Sequence, residues 1–163
     1  MTTQTQTAPI SIGLDDNARA GIAQGLAAVL AGTYTLALKT QNYHWNVTGP
    51  RFNSLHALFE TQYTDLQAAS DDLAERIRAL GVFAPGSLAR FAELSPIEDA
   101  PDAPRGADAM VTDLAADHDT MARSLRALIV EAADVGDEAT ADLLTGRLAT
   151  HEKTAWMLRS SAG

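Results

Sequence analysis

Two histidines and three carboxylates, His44, His56, Glu60, Asp71 and Glu75, have the types and spacing in this chain to bind a metal ion. His56 and Glu60 are four residues apart, as are Asp71 and Glu75, so on a helix each pair projects from one face and can grip one cation. The step from His56 to Asp71 is fifteen residues, close to four full turns, which puts both pairs on roughly the same side. They stand about 22 Å apart along the axis. Metal–ligand bonds of about 2 Å cannot span that gap, so the pairs cannot serve one ion within one chain. Two copies of the helix packed antiparallel about a two-fold axis near Leu66 remove the conflict, because His56 and Glu60 of one then face the second pair of the other. His44 can complete the site from the same chain as His56. Each dimer then carries two identical sites of imidazole and carboxylate with open positions, a set that suits ferrous iron and its oxidation.

Composition narrows the chemistry further. The chain has four histidines and no cysteine, which removes disulfides, iron–sulfur clusters and thiolate zinc sites and favours iron, manganese or magnesium. With 21 acidic against 12 basic residues the formal charge is −9, so a general attraction to nucleic acid or anionic membrane is not expected, and cations are the expected partners. Length and apolar content, 163 residues at 46% hydrophobic, fit one domain with its own core. No apolar run is read as approaching the roughly 20 residues of a membrane helix, and the N-terminus has neither a basic start nor an apolar stretch. A soluble, cytoplasmic protein is expected.

These residues need long helices to carry them. Residues 1–13 are polar and uncharged, with Pro9 and Gly13, and read as a flexible tail; residues 14–163 read as one domain. From an N-cap at Asp15 or Asp16, Ile22, Leu26, Val29, Thr33, Leu36 and Tyr43 mark one face of a first helix, broken by Gly49 and Pro50. A second starts around Asn53 or Ser54 and stops at Gly81. A proline-rich crossover to Gly106 holds a short helix over Ser87 to Leu94. A third long helix, from about Met110, ends near Gly136, and a fourth runs almost to the C-terminus. The fold class is all-α: a ferritin-like four-helix bundle with one long crossover carrying a short helix.

The run His44-Trp45-Asn46-Val47-Thr48-Gly49-Pro50, with Phe52, Leu55-His56, Phe59-Glu60, Tyr63, Leu66, Asp71, Ala74-Glu75-Arg76 and Leu80-Gly81, resembles the Dps family of miniature ferritins. Gly136-Asp137 and the segment from Thr140 to Leu144 continue the likeness more weakly. The resemblance implies a hollow dodecamer that binds ferrous iron between two-fold-related subunits. It implies a ferroxidase that uses hydrogen peroxide and stores ferric oxide, limiting oxidative damage. His44, His56 and Glu60 would come from one subunit, Asp71 and Glu75 from its partner, and Trp45 would intercept oxidising equivalents. Many relatives have aspartate where this chain has Glu60, and Ala57 and Thr61 lack acids that some relatives use for nucleation. Acids around the turn before the fourth long helix, Asp134, Asp137 and Asp142, would line a threefold iron-entry pore, with Glu138 a solvated first-turn acid. Relatives that condense DNA do so through basic tails, which residues 1–13 do not supply, so tail-mediated DNA binding is not expected.

Other candidates carry less. His118 between Asp117 and Asp119 suggests another metal site, but neighbouring helical residues diverge by about 100°, so the trio does not converge and a solvent-facing histidine is expected. His151 beside Glu152 fails for the same reason. Trp156 reads as packing. No Glu-x-x-His motif supports a di-iron centre inside one bundle.

Overall fold

Helix boundaries fall where the chain supplies or withholds backbone partners. In the computed structural model, which describes residues 9–162, Asp15 accepts the amide of Ala18 at 2.8 Å and caps the first helix, α1, Asp16–Asn46. α2, Phe52–Ala79, begins slightly before the expected Asn53 or Ser54, because the Phe52 amide already bonds to the Gly49 carbonyl. It ends in a left-handed cap at Gly81, φ +87, where the amides of Gly81 and Val82 return to the carbonyls of Arg78 and Ile77. Gly136, φ +76, closes α4, Ala107–Asp134, in the same way through Ala133 and Ala132. Between them lies α3, Leu88–Leu94, capped by Ser87, and α5 spans Glu138–Ser161.

α1 and α2 pair as one hairpin and α4 and α5 as another; α1 joins the two halves by packing on α4, and α3 lies against α1. This is the expected four-helix bundle with one long crossover, and no strand occurs among the described residues. Leu26, Leu36, Leu55, Phe59, Leu66, Leu73, Leu114 and Met121 share its buried core. α1 is buried on several sides, through Ala23, Leu30, Thr33, Ala37 and Thr40 as well as its leucines. That burial corrects one expectation: by length and composition α1 does reach the apolarity of a membrane span, with an 18-residue window of mean hydropathy 1.4, of which 56% is buried inside the bundle. A helix apolar nearly all round is what the centre of a bundle needs.

Of the tail expected over residues 1–13, residues 1–8 lie outside the described residues. Ile10 is half-buried, and its side chain occupies the space a Cβ at position 81 would need. Arg19, in the first turn of α1, donates to the Leu80 carbonyl at 2.8 Å, so Ile10 and the start of α1 both meet the end of α2.

Several polar groups inside the bundle are paired across helices. Tyr43 donates to Asp113 at 2.8 Å and Arg105 reaches the other oxygen of that carboxylate at 2.6 Å. Burial alone would raise Asp113, but the hydrogen bonds from Arg105 and Tyr43 overcome it and hold its pKa below the usual range. Lys39 meets Asp117 at 2.7 Å, where burial raises the carboxyl and the ammonium offsets only part of that.

Two histidines depart from expectation. His118 and His151 are both buried, and their Nδ1 atoms meet at 2.8 Å, one donating to the other, between α4 and α5. Spacing along one helix could not reveal a pair formed between two. Trp156, expected to pack, is 60% exposed. Burial holds the pKa of both buried imidazoles below the ordinary value. On His151 the neighbouring His118 and then Arg147 add to the effect; on His118 Arg147 does, while Asp65 and Asp119 pull the other way. The unfolded chain therefore takes up more protons in acid than the folded one. Stability is complete above a pH of about 6.5 and lost as pH falls below it, by on the order of 2 kcal/mol per histidine at about pH 5. Urea denaturation between about pH 7 and pH 5 should reveal this slope, and replacing both histidines by leucine should flatten it.

Candidate metal centre

The end of α1 and the start of α2 are brought together by the Val47 to Arg51 turn, and His44 and His56 meet there face to face. Their ring centroids are 3.7 Å apart and the planes within 15° of parallel. Each Nδ1 lies against the other residue's backbone carbonyl, at 2.8 Å from His44 and 2.7 Å from His56. A carbonyl can only accept, so both Nδ1 atoms carry the proton and donate. Each neutral ring is left with a lone pair on Nε2, the form in which imidazole binds a metal. The backbone thus sets the tautomer of both rings. His44 is buried and His56 half-buried, so the pair is held at a surface a cation can reach.

Glu60 follows His56 by one turn and is exposed, as are Asp71 and Glu75 further along α2. Thr64 and Gln67 continue the same exposed stripe between the two carboxylate groups. Leu66, near which the two-fold axis was placed, points into its own core at 1% exposure, so Gln67 is the residue whose side chain occupies the middle of the outward stripe. Asp71 lies at one edge of a groove of about 400 Å³ lined by Tyr34, Gln67, Leu88 and Phe91, next to exposed Leu38 and Phe83. No three histidine or carboxylate side chains converge among the described residues.

Aromatic residues lie against the histidines: Tyr63 makes a T-shaped contact with His44 at 5.3 Å, and Phe52 stacks on His56 at 4.9 Å. Phe52 precedes His56 by four residues on α2, the spacing that brings side chains together. Tyr43 and Phe59 are instead buried in the bundle, and Trp45 is 60% exposed beside His44.

The acids of the α4–α5 turn divide by environment. Asp134, Glu138 and Asp142 are exposed. Asp137 is buried and caps α5: it accepts from the Thr140 amide at 3.0 Å, the Thr140 hydroxyl at 2.6 Å and Arg76 at 2.6 Å. Arg76 also donates to the Thr140 hydroxyl at 2.8 Å, which ties α5 to α2 one residue beyond Glu75.

The model of the ferritin-like domain matches residues 23–162 of the chain. An uncharacterized low temperature-induced protein of Nostoc is 44% identical over 153 residues, covering 93% of this chain and 85% of the relative. DNA protection during starvation protein 2 of Bacillus anthracis is 38% identical, covering 77% of this chain and 85% of that one. Among solved structures, a Dps protein of Vibrio cholerae O1, described as one of the ferritin-like diiron-carboxylate proteins, superposes with a TM-score of 0.89. It has 31% identity and covers 96% of this chain and 98% of that one.

Removing the Asp137 carboxylate leaves Arg76 without its buried partner and α5 without its cap. Asp137→Ala should destabilise the fold by about 3–5 kcal/mol, while Asp137→Asn, which keeps the cap, should cost clearly less. Chemical denaturation of the three proteins checks the order.

Proposed function

The chain belongs to the Dps branch of the ferritin-like family, and on that premise we propose that it oxidises ferrous iron at centres shared between two subunits and stores the ferric product. Two ferrous ions each give one electron to hydrogen peroxide, the oxidant implied by the resemblance. The peroxide O–O bond breaks, its oxygens enter the ferric oxyhydroxide as oxide or hydroxide, and protons are released to solvent. His44, His56 and Glu60 bind iron from one chain; Asp71 and Glu75 of the adjoining chain close the site. The observation that carries this reading is the pair of imidazoles, one at the end of α1 and one near the start of α2, with both Nε2 atoms left free, while Asp71 and Glu75 lie about 22 Å further along the exposed stripe of α2.

The apolar groove beside Asp71 is the surface on which the second copy would lie, and assembly of such dimers into a cage of twelve would enclose the mineral. Asp134 and Asp142, both exposed, attract ferrous ions toward the interior. Asp137 contributes to that entrance by fixing the start of α5. Trp45, exposed next to His44, is placed to intercept stray oxidising equivalents. The expected setting is the cytoplasm.

A second reading, protection of DNA by direct binding, is favoured by the name that the Bacillus anthracis relative carries. The net charge of −9 opposes it. Retardation of DNA in a gel at low salt without magnesium would reverse this ranking.

His56→Ala and Asp71→Ala proteins should each oxidise iron with peroxide more than about tenfold slower than the parent. Mixed before assembly in equal amounts, they should recover about a quarter of parental activity, because each mixed dimer rebuilds one of its two sites. A mixture no better than its components would refute the shared centre.

A further inference from the structure

His44 and His56 form the middle of a longer stack. Phe52 stacks on His56 with ring planes 25° apart, and Tyr63 makes a T-shaped contact with His44, its ring at 72°. We propose that Phe52 and Tyr63 are positioning residues of the metal centre, an aromatic bracket that holds the two imidazoles in the stacked arrangement in which each tethered Nδ1 leaves its Nε2 lone pair available to metal. The proposal rests on the reading of His44 and His56 as ligands.

One hydrogen bond at Nδ1 restrains an imidazole at a single point, and the bond from Cβ to the ring has a broad torsional well, so the ring can still tilt about its contact. A face contact on His56 and a T-shaped contact on His44 remove that freedom. Phe52 does little for the core: it is 41% exposed at the start of α2, and its recorded ring contact is with His56. Tyr63 is half-buried. The bracket also favours the loaded state. An ion on Nε2 draws electron density from the imidazole, and a ring made more positive is attracted to the electron-rich face of Phe52. The residue required at position 52 is therefore a flat ring, and apolar bulk alone does not substitute for it.

Cobalt(II) titration of the full assembled protein, read from its visible absorption, separates these roles. Phe52→Leu keeps the bulk and loses the ring; it should bind cobalt about 10–100-fold more weakly, with unchanged melting and assembly mass. Phe52→Tyr should restore affinity to within about threefold of the parent, and Tyr63→Phe should match the parent where Tyr63→Leu does not. In iron oxidation, Phe52→Leu should raise the iron concentration for half-maximal rate more than it lowers the maximal rate. Parental cobalt affinity in Phe52→Leu, or failure of Phe52→Tyr to restore it, would overturn the bracket while leaving the metal centre intact. His56→Ala binding cobalt as tightly as the parent would overturn the metal centre itself, and the bracket with it.

Discussion

A straight helix keeps its residues apart at a fixed rise, and no side chain is long enough to defeat that spacing over four turns. This limit governs the arrangement of the proposed centre. His56 with Glu60, and Asp71 with Glu75, share the outward stripe of α2 but cannot meet within one chain. Chemistry that needs both groups requires a second copy running the other way. The fold then has two tasks, to keep α2 straight and to leave its stripe bare. Leu55, Phe59, Leu66, Leu73 and Ile77 do the first by burying the opposite face, and the exposed Thr64 and Gln67 accomplish the second.

Rigidity at the centre comes from backbone as much as from side chains. Because the His44 and His56 carbonyls act as acceptors for each other's rings, the ligand tautomers are set where α1 ends and α2 begins. The Val47 to Arg51 turn is therefore part of the chemistry. Its position is secured from outside: Arg51 bonds to Asp108 at the start of α4 and to the Ser161 carbonyl at the end of α5. One residue before His44, Tyr43 anchors the end of α1 to Asp113 on α4.

Much of this was readable in advance, for identifiable reasons. Gly81 and Gly136 mark helix ends because their backbone is left-handed, and Asp15 and Ser87 mark helix starts because their side chains replace missing carbonyl acceptors. Four of the five metal-binding candidates stood out because two pairs repeat a four-residue step in register, and His44 because it falls at the end of the first helix. What sequence concealed were contacts between elements remote in the chain. His118 looked solvated between its acidic neighbours, yet it faces His151 in the core across 33 residues. Asp137 reads as one acid among several until its partner Arg76, 61 residues away, is seen. Phe52 escaped notice as a site residue because an aromatic at the start of a helix is usually packing.

The five metal-binding candidates lie between residues 44 and 75, within the α1–α2 hairpin, while the acids of the proposed entrance lie on the α4–α5 half. Encoding the two in separate halves of the chain makes the protein modular in its heredity. Mutation in the second half can alter how cations approach without disturbing the ligands, and the first half can drift in affinity without closing the entrance. The couplings that limit this independence are Arg76 with Asp137 and Arg147 with Asp65 between α2 and α5, Tyr43 with Asp113 and Lys39 with Asp117 between α1 and α4, and Arg51 with Asp108 and the Ser161 carbonyl. Lineages adapting to different iron supplies would be expected to vary around those bridges and to keep the bridges themselves.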